Sequence, residues 1–253
     1  MSFVSSVANE VLRYISSREG RAPPCSAVIA AAGSSDRMAG EDKLFLEVCG
    51  APVLAHTLAV FQQCSFIDEI IVVARYDRLS EVGELCRKYG ADKVSKVMAG
   101  GETRLDSVLN GVLAVSDKSQ LIAIHDGARP CVTVDIVNCA IAAAFRYHAV
   151  APAVQIASTV KRVSNGVVAE TIDRENLFEI QTPQVFMADM IKAALTNAKN
   201  KSVAITDDCM AAELLGVPVY LTEGSRSNIK ITTNDDLALV EAVLARAAHI
   251  ASH

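Results

Sequence analysis

From Cys25 onward the chain alternates short apolar runs with stretches of helical spacing, and that alternation leaves few architectures open. Residues 27–32 form an apolar run closed by Gly33. Residues 52–63 have helical spacing with a proline at the start, where a helix tolerates one. Residues 69–74 (Glu-Ile-Ile-Val-Val-Ala) form a β-branched run, and 77–89 read as a helix with Gly90 just past its end. The pattern continues with a helix over 106–115, a strand over 121–125, a helix over 134–147 and a strand over 150–154. Alternation of this kind builds βαβ units. It predicts an α/β protein with a mostly parallel sheet and helices on both faces. Ligands of such sheets bind beyond the carboxyl ends of the strands, so the loops after Ala32, Val97 and His125 are the places to look.

One segment breaks the rhythm. Two β-rich runs, 159–164 and 167–172, flank Asn165-Gly166, the strongest short-range hairpin signal. Neither run is uniformly apolar, so this hairpin is expected to project as an arm over about 155–175. A lone two-stranded ribbon is marginal in water. Packing against a second copy of the chain is the most economical cover, a surface flap on a monomer the alternative. Beyond the arm the spacing predicts helices near 188–197 and 207–215, strands over 217–221 and 228–231, and a last helix over 235–248 with Thr233 as N-cap. Residues 1–24 read as an extension and 25–253 as one domain. In the extension Val4, Val7, Val11, Leu12 and Ile15 recur at roughly helical spacing, up to Pro23-Pro24.

Composition narrows the partners. Aromatics are 5% and tryptophan is absent, so the core must be aliphatic. The net charge is −5 and the pI about 5.6, which lacks the basic footprint of a nucleic-acid binder but leaves room for a phosphate ligand held by a few placed cations. The seven cysteines are odd in number and show no C-x-x-C spacing, which suits reduced thiols in a cytosolic protein. No apolar stretch reaches the length of a membrane span and no secretory pattern opens the chain, so a cytoplasmic location is expected.

Chemistry is expected first in the loop Ala31-Ala32-Gly33-Ser34-Ser35-Asp36-Arg37-Met38, with Lys43 following. A turn of small residues after a buried strand lets backbone N–H groups approach an anion, and Arg37 and Lys43 add cations of the kind phosphoryl transfer uses. The loop matches neither a Walker A motif nor G-x-G-x-x-G. Seen alone, it is equally a Gly/Ser turn with two surface cations.

The motifs carry further in combination. Ala-Ala-Gly, Arg-Met and Lys-Leu-Phe resemble the opening signature of the sugar-phosphate nucleotidyltransferases. Gly100-Gly101-Glu102-Thr103-Arg104-Leu105-Asp106-Ser107-Val108 resembles a stretch of the 2-C-methyl-D-erythritol 4-phosphate cytidylyltransferase family. So do His125-Asp126-Gly127-Ala128-Arg129-Pro130, Thr171-Ile172-Asp173-Arg174, Thr182-Pro183-Gln184, Ile205-Thr206-Asp207-Asp208 and Asn228-Ile229-Lys230-Ile231-Thr232. These occur in family order.

The resemblance implies a Rossmann-like fold that transfers CMP from CTP to methylerythritol phosphate, with magnesium carried mainly by the CTP phosphates and Asp126 nearby. It implies that Ala31, Ala32 and Gly33 hold the nucleotide through backbone groups, and that Arg37, Lys43 and Lys230 are the catalytic cations. Gly101 and Ser107 would contact the cytidine, and Asp126 would sit by the ribose and the acceptor. Arg129, Thr159, Arg174 and Thr182 would bind the acceptor, partly from a partner subunit of a homodimer. His125 reads as a packed strand-end residue. The loop from Arg37 to Lys43 departs from the pattern by being short and carrying two acids, Glu41 and Asp42. Alternative readings are a ribitol-5-phosphate cytidylyltransferase, a CMP-sugar synthetase, and a non-catalytic nucleotide-sensing module of the same fold. Gly127-Ala128 favours methylerythritol phosphate as the acceptor, and the joint presence of Arg37, Lys43 and Lys230 favours catalysis.

Overall fold

The computed structural model describes residues 23–33 and 42–251; the expected N-terminal helix lies outside them. The centre is an eight-stranded sheet in the order β10-β7-β11-β6-β1-β4-β5, with β12 pairing β7. Its strands are β1 (Cys25–Ala31), β4 (Glu69–Ala74), β5 (Val94–Ala99), β6 (Leu121–Asp126), β7 (Ala149–Gln155), β10 (Phe178–Ile180), β11 (Gln184–Met187) and β12 (Tyr220–Glu223). β1 pairs in parallel with β4 and β6, β4 with β5, and β12 with β7. The mostly parallel α/β sheet expected from the alternation is therefore present.

The apolar runs are continuous because both faces of the strands are buried. Along β4, Ile70, Val72 and Ala74 face one core, while Ile71 and Val73 face the other. The first core is covered by α1 (Val53–Gln63), α2 (Leu79–Lys88), α4 (Val134–Tyr147) and α7 (Asn234–Ala251), through residues such as Leu58, Leu85, Ile141 and Val240. The second lies under α3 (Arg104–Ala114), α5 (Ala188–Asn200) and α6 (Asp208–Glu213), through Val108, Val112, Ile191 and Leu195. Each fully buried Leu, Ile or Val contributes roughly 1.5–3 kcal/mol relative to exposure, which is what holds the helices to the sheet. At Gly111 the packing is close enough that a Cβ would come within 2.5 Å of Val28 and 2.6 Å of Val73, so α3 lies hard against the sheet and fixes the height of the loop that precedes it.

The arm is β8 (Val160–Ser164) and β9 (Val167–Ile172), a two-stranded sheet of its own. Asn165 and Gly166 have φ of 50° and 78°, the positive values a tight hairpin turn needs. Val163, Val167 and Val168 are exposed on it.

Two expectations are corrected. Residues 228–231 form no strand: Ile231 donates its N–H to the Ala128 carbonyl at 2.9 Å, so this segment straps the loop after β6 instead of joining a sheet. The strand expected over 217–221 is displaced to β12, because Val217 donates back to Ala212 at 3.1 Å to finish the preceding helix and Pro218 has no N–H to give. Between β6 and β7 the unexpected β11 inserts antiparallel to both. A short β2–β3 ribbon (Glu47–Val48, Ala51–Pro52) was likewise not anticipated. The last helix begins at Asn234, and Thr233 Oγ1 accepts the Asp236 N–H at 3.4 Å, as expected of its N-cap.

Candidate active site

At the carboxyl end of β6, Asp126 is almost enclosed. Its Oδ2 accepts from Arg129 Nε at 3.1 Å and from Lys230 Nζ at 3.0 Å. Burial alone would raise this carboxyl. Lys230, Arg129 and the more distant Arg104 overcome that and hold it well below the usual carboxylate range, so it is ionised at neutral pH. Lys230 keeps 40% of its side chain exposed and so presents a cation at the surface of the cluster. Arg129 also donates to the Asn228 carbonyl at 2.8 Å, bracing the 228–231 strap.

Behind Asp126 lies a neutral support. The Asp126 N–H donates to Thr182 Oγ1 at 3.2 Å, which leaves the Thr182 hydroxyl to donate to His125 Nδ1 at 2.9 Å. His125 Nε2 then carries the proton, facing the Arg129 carbonyl at 3.3 Å. The ring is fully buried against Phe61, and burial lowers its pKa to about 4. His125 is thus the packed strand-end residue the sequence suggested. Thr182, expected to touch the acceptor, is buried with its hydroxyl committed here.

The loop between β5 and α3 comes to the same end of the sheet. The Gly100 N–H donates to the Ala74 carbonyl at 2.8 Å, and a Cβ on Gly100 would meet Ala32 at 2.6 Å, so the Ala32-Gly33 and Gly100-Gly101 turns touch. Ser107 Oγ accepts the Gly101 N–H at 3.1 Å and donates to the Thr103 carbonyl at 2.9 Å. Its hydroxyl shapes the loop expected to hold the cytidine. Thr103 and Asp106 form a reciprocal capping box that starts α3 and points its amino end at the site.

The sequence reading gave no role to Arg104 and Asp208. Their side chains form a bidentate pair at 2.9 and 2.8 Å, with Asp208 fully buried. Burial pushes Asp208 up, and Arg104 pulls it back; the fork-to-carboxylate geometry favours the ionised pair. Gln184 accepts the Asp208 and Cys209 N–H groups, each at 3.0 Å, and donates to Asp207 at 2.9 Å. This network ties α6 to β11 and to the head of α3. Both residues sit inside motifs of the family resemblance, which was the available signal.

Lys43 is in a turn whose neighbour Leu44 packs beside Gly127, while Arg37 lies outside the described residues. Thr159 is exposed at the foot of the arm. Arg174 bonds the Ala157 carbonyl and lines a cleft with Gln155, Asp173 and Arg226. Neither Thr159 nor Arg174 shares a hydrogen bond with the Asp126 cluster. The structure therefore brings together Ala31, Ala32, Gly33, Gly101, Ser107, Asp126, Arg129, Thr182 and Lys230, and leaves Thr159 and Arg174 at the arm.

Among the described residues no group of three or more His, Cys, Asp or Glu could hold a metal. Asp126, with both cations on one oxygen, fits the lesser demand of a hard cation that takes one carboxylate and draws its other ligands from phosphates and water.

His125 gives a prediction with a defined sign. Its folded pKa lies below the unfolded value of about 6.5, so between those values the unfolded chain binds the extra proton and the fold loses stability as pH falls toward about 4. The loss attributable to this residue is on the order of 3 kcal/mol across that window. Denaturant midpoints of wild type and His125→Asn from pH 7.5 to 4 should converge as pH falls; parallel curves would show that His125 does not titrate this way.

Comparison with known proteins agrees with the geometry. Residues 25–246 match the family model described as 2-C-methyl-D-erythritol 4-phosphate cytidylyltransferase. Relatives of that name from Halalkalibacterium halodurans and Dehalococcoides mccartyi are each 43% identical; the alignments cover 87% and 86% of this chain, and 96% and 95% of theirs. The crystal structure of the 4-diphosphocytidyl-2C-methyl-D-erythritol synthase from Anaerococcus prevotii superposes with a TM-score of 0.78 at 32% identity, covering 88% of this chain and 97% of that one. The cytidylyltransferase from Thermus thermophilus gives 0.72 at 31% identity, covering 87% and 98%. With that much of its length matched and its loops converging on Asp126, the chain belongs to the 2-C-methyl-D-erythritol 4-phosphate cytidylyltransferase family.

Proposed function

We propose that this chain transfers CMP from CTP to 2-C-methyl-D-erythritol 4-phosphate, releasing pyrophosphate and forming 4-diphosphocytidyl-2-C-methyl-D-erythritol, a step of non-mevalonate isoprenoid biosynthesis. The observation that carries the reading is the Asp126 cluster. An ionised carboxylate holds a half-exposed Lys230 in place at the carboxyl edge of the sheet, beside the touching turns after β1 and β5.

The acceptor phosphate is already an anion at neutral pH, so it attacks the α-phosphorus in line without a general base. Pyrophosphate departs as the new P–O bond forms. The protein's contribution is positioning and charge. The Ala31–Gly33 turn and Gly101 offer backbone approach to the nucleotide. Lys43 and Lys230 supply positive charge to the phosphates, and the family resemblance gives Arg37 the same role. Asp126 keeps Lys230 in register, and Arg129 and Arg104 balance the buried carboxylate. Magnesium, carried mainly by the triphosphate with Asp126 nearby, would supply further charge neutralisation. Arg174 and Thr159 reach the acceptor of a second subunit through the arm, whose exposed valines then gain a cover. Among the described residues no helix is long and apolar enough to cross a membrane, and a cytoplasmic enzyme is the reading that fits.

Turnover with CTP, magnesium and methylerythritol phosphate is the test. CTP should outperform ATP, GTP and UTP, and ribitol 5-phosphate should be a poor acceptor; equal rates with UTP or ribitol 5-phosphate would overturn the assignment. Lys43→Ala and Lys230→Ala should each lower kcat roughly 10²-fold, as loss of a single charge-stabilising group does elsewhere. Arg174→Ala should chiefly raise KM for the acceptor and leave CTP binding nearly unchanged.

The arm makes a separate prediction. Sedimentation at micromolar concentration should show a homodimer, and Val163→Lys combined with Val168→Lys should weaken it together with activity. A fully active monomer would remove the proposed exchange of arms.

A further inference from the structure

Asp42 stands directly before Lys43 in the chain. We infer that Asp42, gripped by Arg75 and Arg78, is a positioning residue that sets the direction of Lys43. This rests on the catalytic role proposed for Lys43 and extends it.

Residues 42–45 form a turn with Lys43 at its second position. The Asp42 carbonyl accepts the Phe45 N–H at 2.9 Å, and Asp42 Oδ1 accepts the Leu44 N–H at 3.2 Å, so one carboxylate oxygen is spent on closing the turn. The other, Oδ2, faces two guanidinium groups, Arg75 Nη1 at 3.8 Å and Arg78 Nε at 4.0 Å. The Asp42 side chain is only 7% exposed. A carboxylate that enclosed requires opposite charge nearby, and both of its partners come from the loop after β4, at the same carboxyl edge of the sheet as Asp126.

The grip extends across the turn. The Arg78 guanidinium lies 5.4 Å from the Phe45 ring centroid, so one arginine touches both ends of the four-residue turn. Its Nε is buried and has no hydrogen-bond partner; two carboxylates face it without bonding, Asp77 Oδ2 at 3.9 Å and Asp42 Oδ2 at 4.0 Å. Arg75 and Arg78 are themselves held, by Asp77 at 2.5 Å and Glu81 at 2.5 Å. On the opposite side Leu44 is buried. Its carbonyl accepts the Leu54 N–H at 3.0 Å, and its side chain lies 3.4 Å from where a Cβ of Gly127 would be, next to Asp126. The residues flanking Lys43 are thus fixed in opposite directions, Asp42 toward β4 and Leu44 toward β6. The backbone of Lys43 has little freedom between them. A catalytic cation gains from such restraint, because misplacement by about 1 Å can cost as much as 10²-fold in rate.

The test is a double-mutant cycle between Asp42 and Lys43 with CTP and methylerythritol phosphate, melting temperatures measured alongside. Asp42→Ala should lower kcat roughly ten- to a hundredfold with KM for the acceptor unchanged. Asp42→Asn keeps an oxygen for the Leu44 N–H but loses the charge, and should fall between Asp42→Ala and wild type. Arg78→Ala should resemble Asp42→Ala. In a Lys43→Ala background, Asp42→Ala should cost less than about twofold more, because a cation that is absent cannot be misdirected. Equal losses in both backgrounds would make Asp42 a structural residue and overturn the inference, as would wild-type kcat in Asp42→Ala. A wild-type enzyme insensitive to Lys43→Ala would remove the role of Lys43 and this inference with it. Absence of CMP transfer by the wild type would instead overturn the function proposed above.

Discussion

An ionised carboxylate at the end of a buried strand must be neutralised, and the carboxyl edge of this protein is arranged around that requirement. Asp126 is the last residue of β6, with its charge nearly sealed from water. Leaving such a charge unpaired would cost several kcal/mol. Arg129 and Lys230 answer it directly, and their reach dictates where the 228–231 segment runs. That segment contains β-branched residues yet pairs with no strand: the Asn228 and Ile229 N–H groups turn back on the Ser225 and Ser227 carbonyls and only Ile231 donates to the loop after β6, which places Lys230 on Asp126. The Asn228 side chain completes the tie, donating to Gln181 at 3.2 Å and to the Thr182 carbonyl at 3.0 Å.

The surrounding polar groups are satisfied in ways that stiffen the site. Ser107 closes the Gly100-Gly101 loop, Thr182 holds the Asp126 backbone and the His125 tautomer, and Arg104 locks α6 through Asp208. Both nitrogens of His125 are engaged and its ring is kept neutral by burial. It is therefore no general base, and among the described residues around Asp126 no serine or cysteine stands beside a base. The chemistry left to such a site is orientation and charge complementarity, which suits transfer between two substrates that are both phosphate anions.

The fold was largely legible in the residues, for physical reasons that also explain the exceptions. The β4 run and the Asn165-Gly166 turn are local signals, and the elements stand where those signals put them. β11 was not visible because Gln184–Met187 is short and its place between β6 and β7 is settled by pairing with strands distant in sequence. Residues 228–231 misled because β-branched composition reports burial, which Ile231 has, and not sheet pairing, which it lacks. At the site, motif resemblance found Asp126 and Lys230. It could not show that Thr182 supports Asp126 from behind. Nor could it show that Asp208, 104 residues from Arg104, closes the buried pair, since each residue alone reads as an ordinary surface charge.

On the proposed mechanism the protein catalyses one direct displacement with fixed cations and contributes no covalent nucleophile. A single in-line attack inverts configuration at the α-phosphorus, whereas transfer through a nucleotidylated side chain inverts twice and returns the original configuration. The most direct measurement is the stereochemical course of transfer from CTP chiral at an α-phosphorothioate to methylerythritol phosphate. Inversion is the predicted result. Retention would contradict the account, because it would require a nucleophilic side chain that takes up the nucleotide.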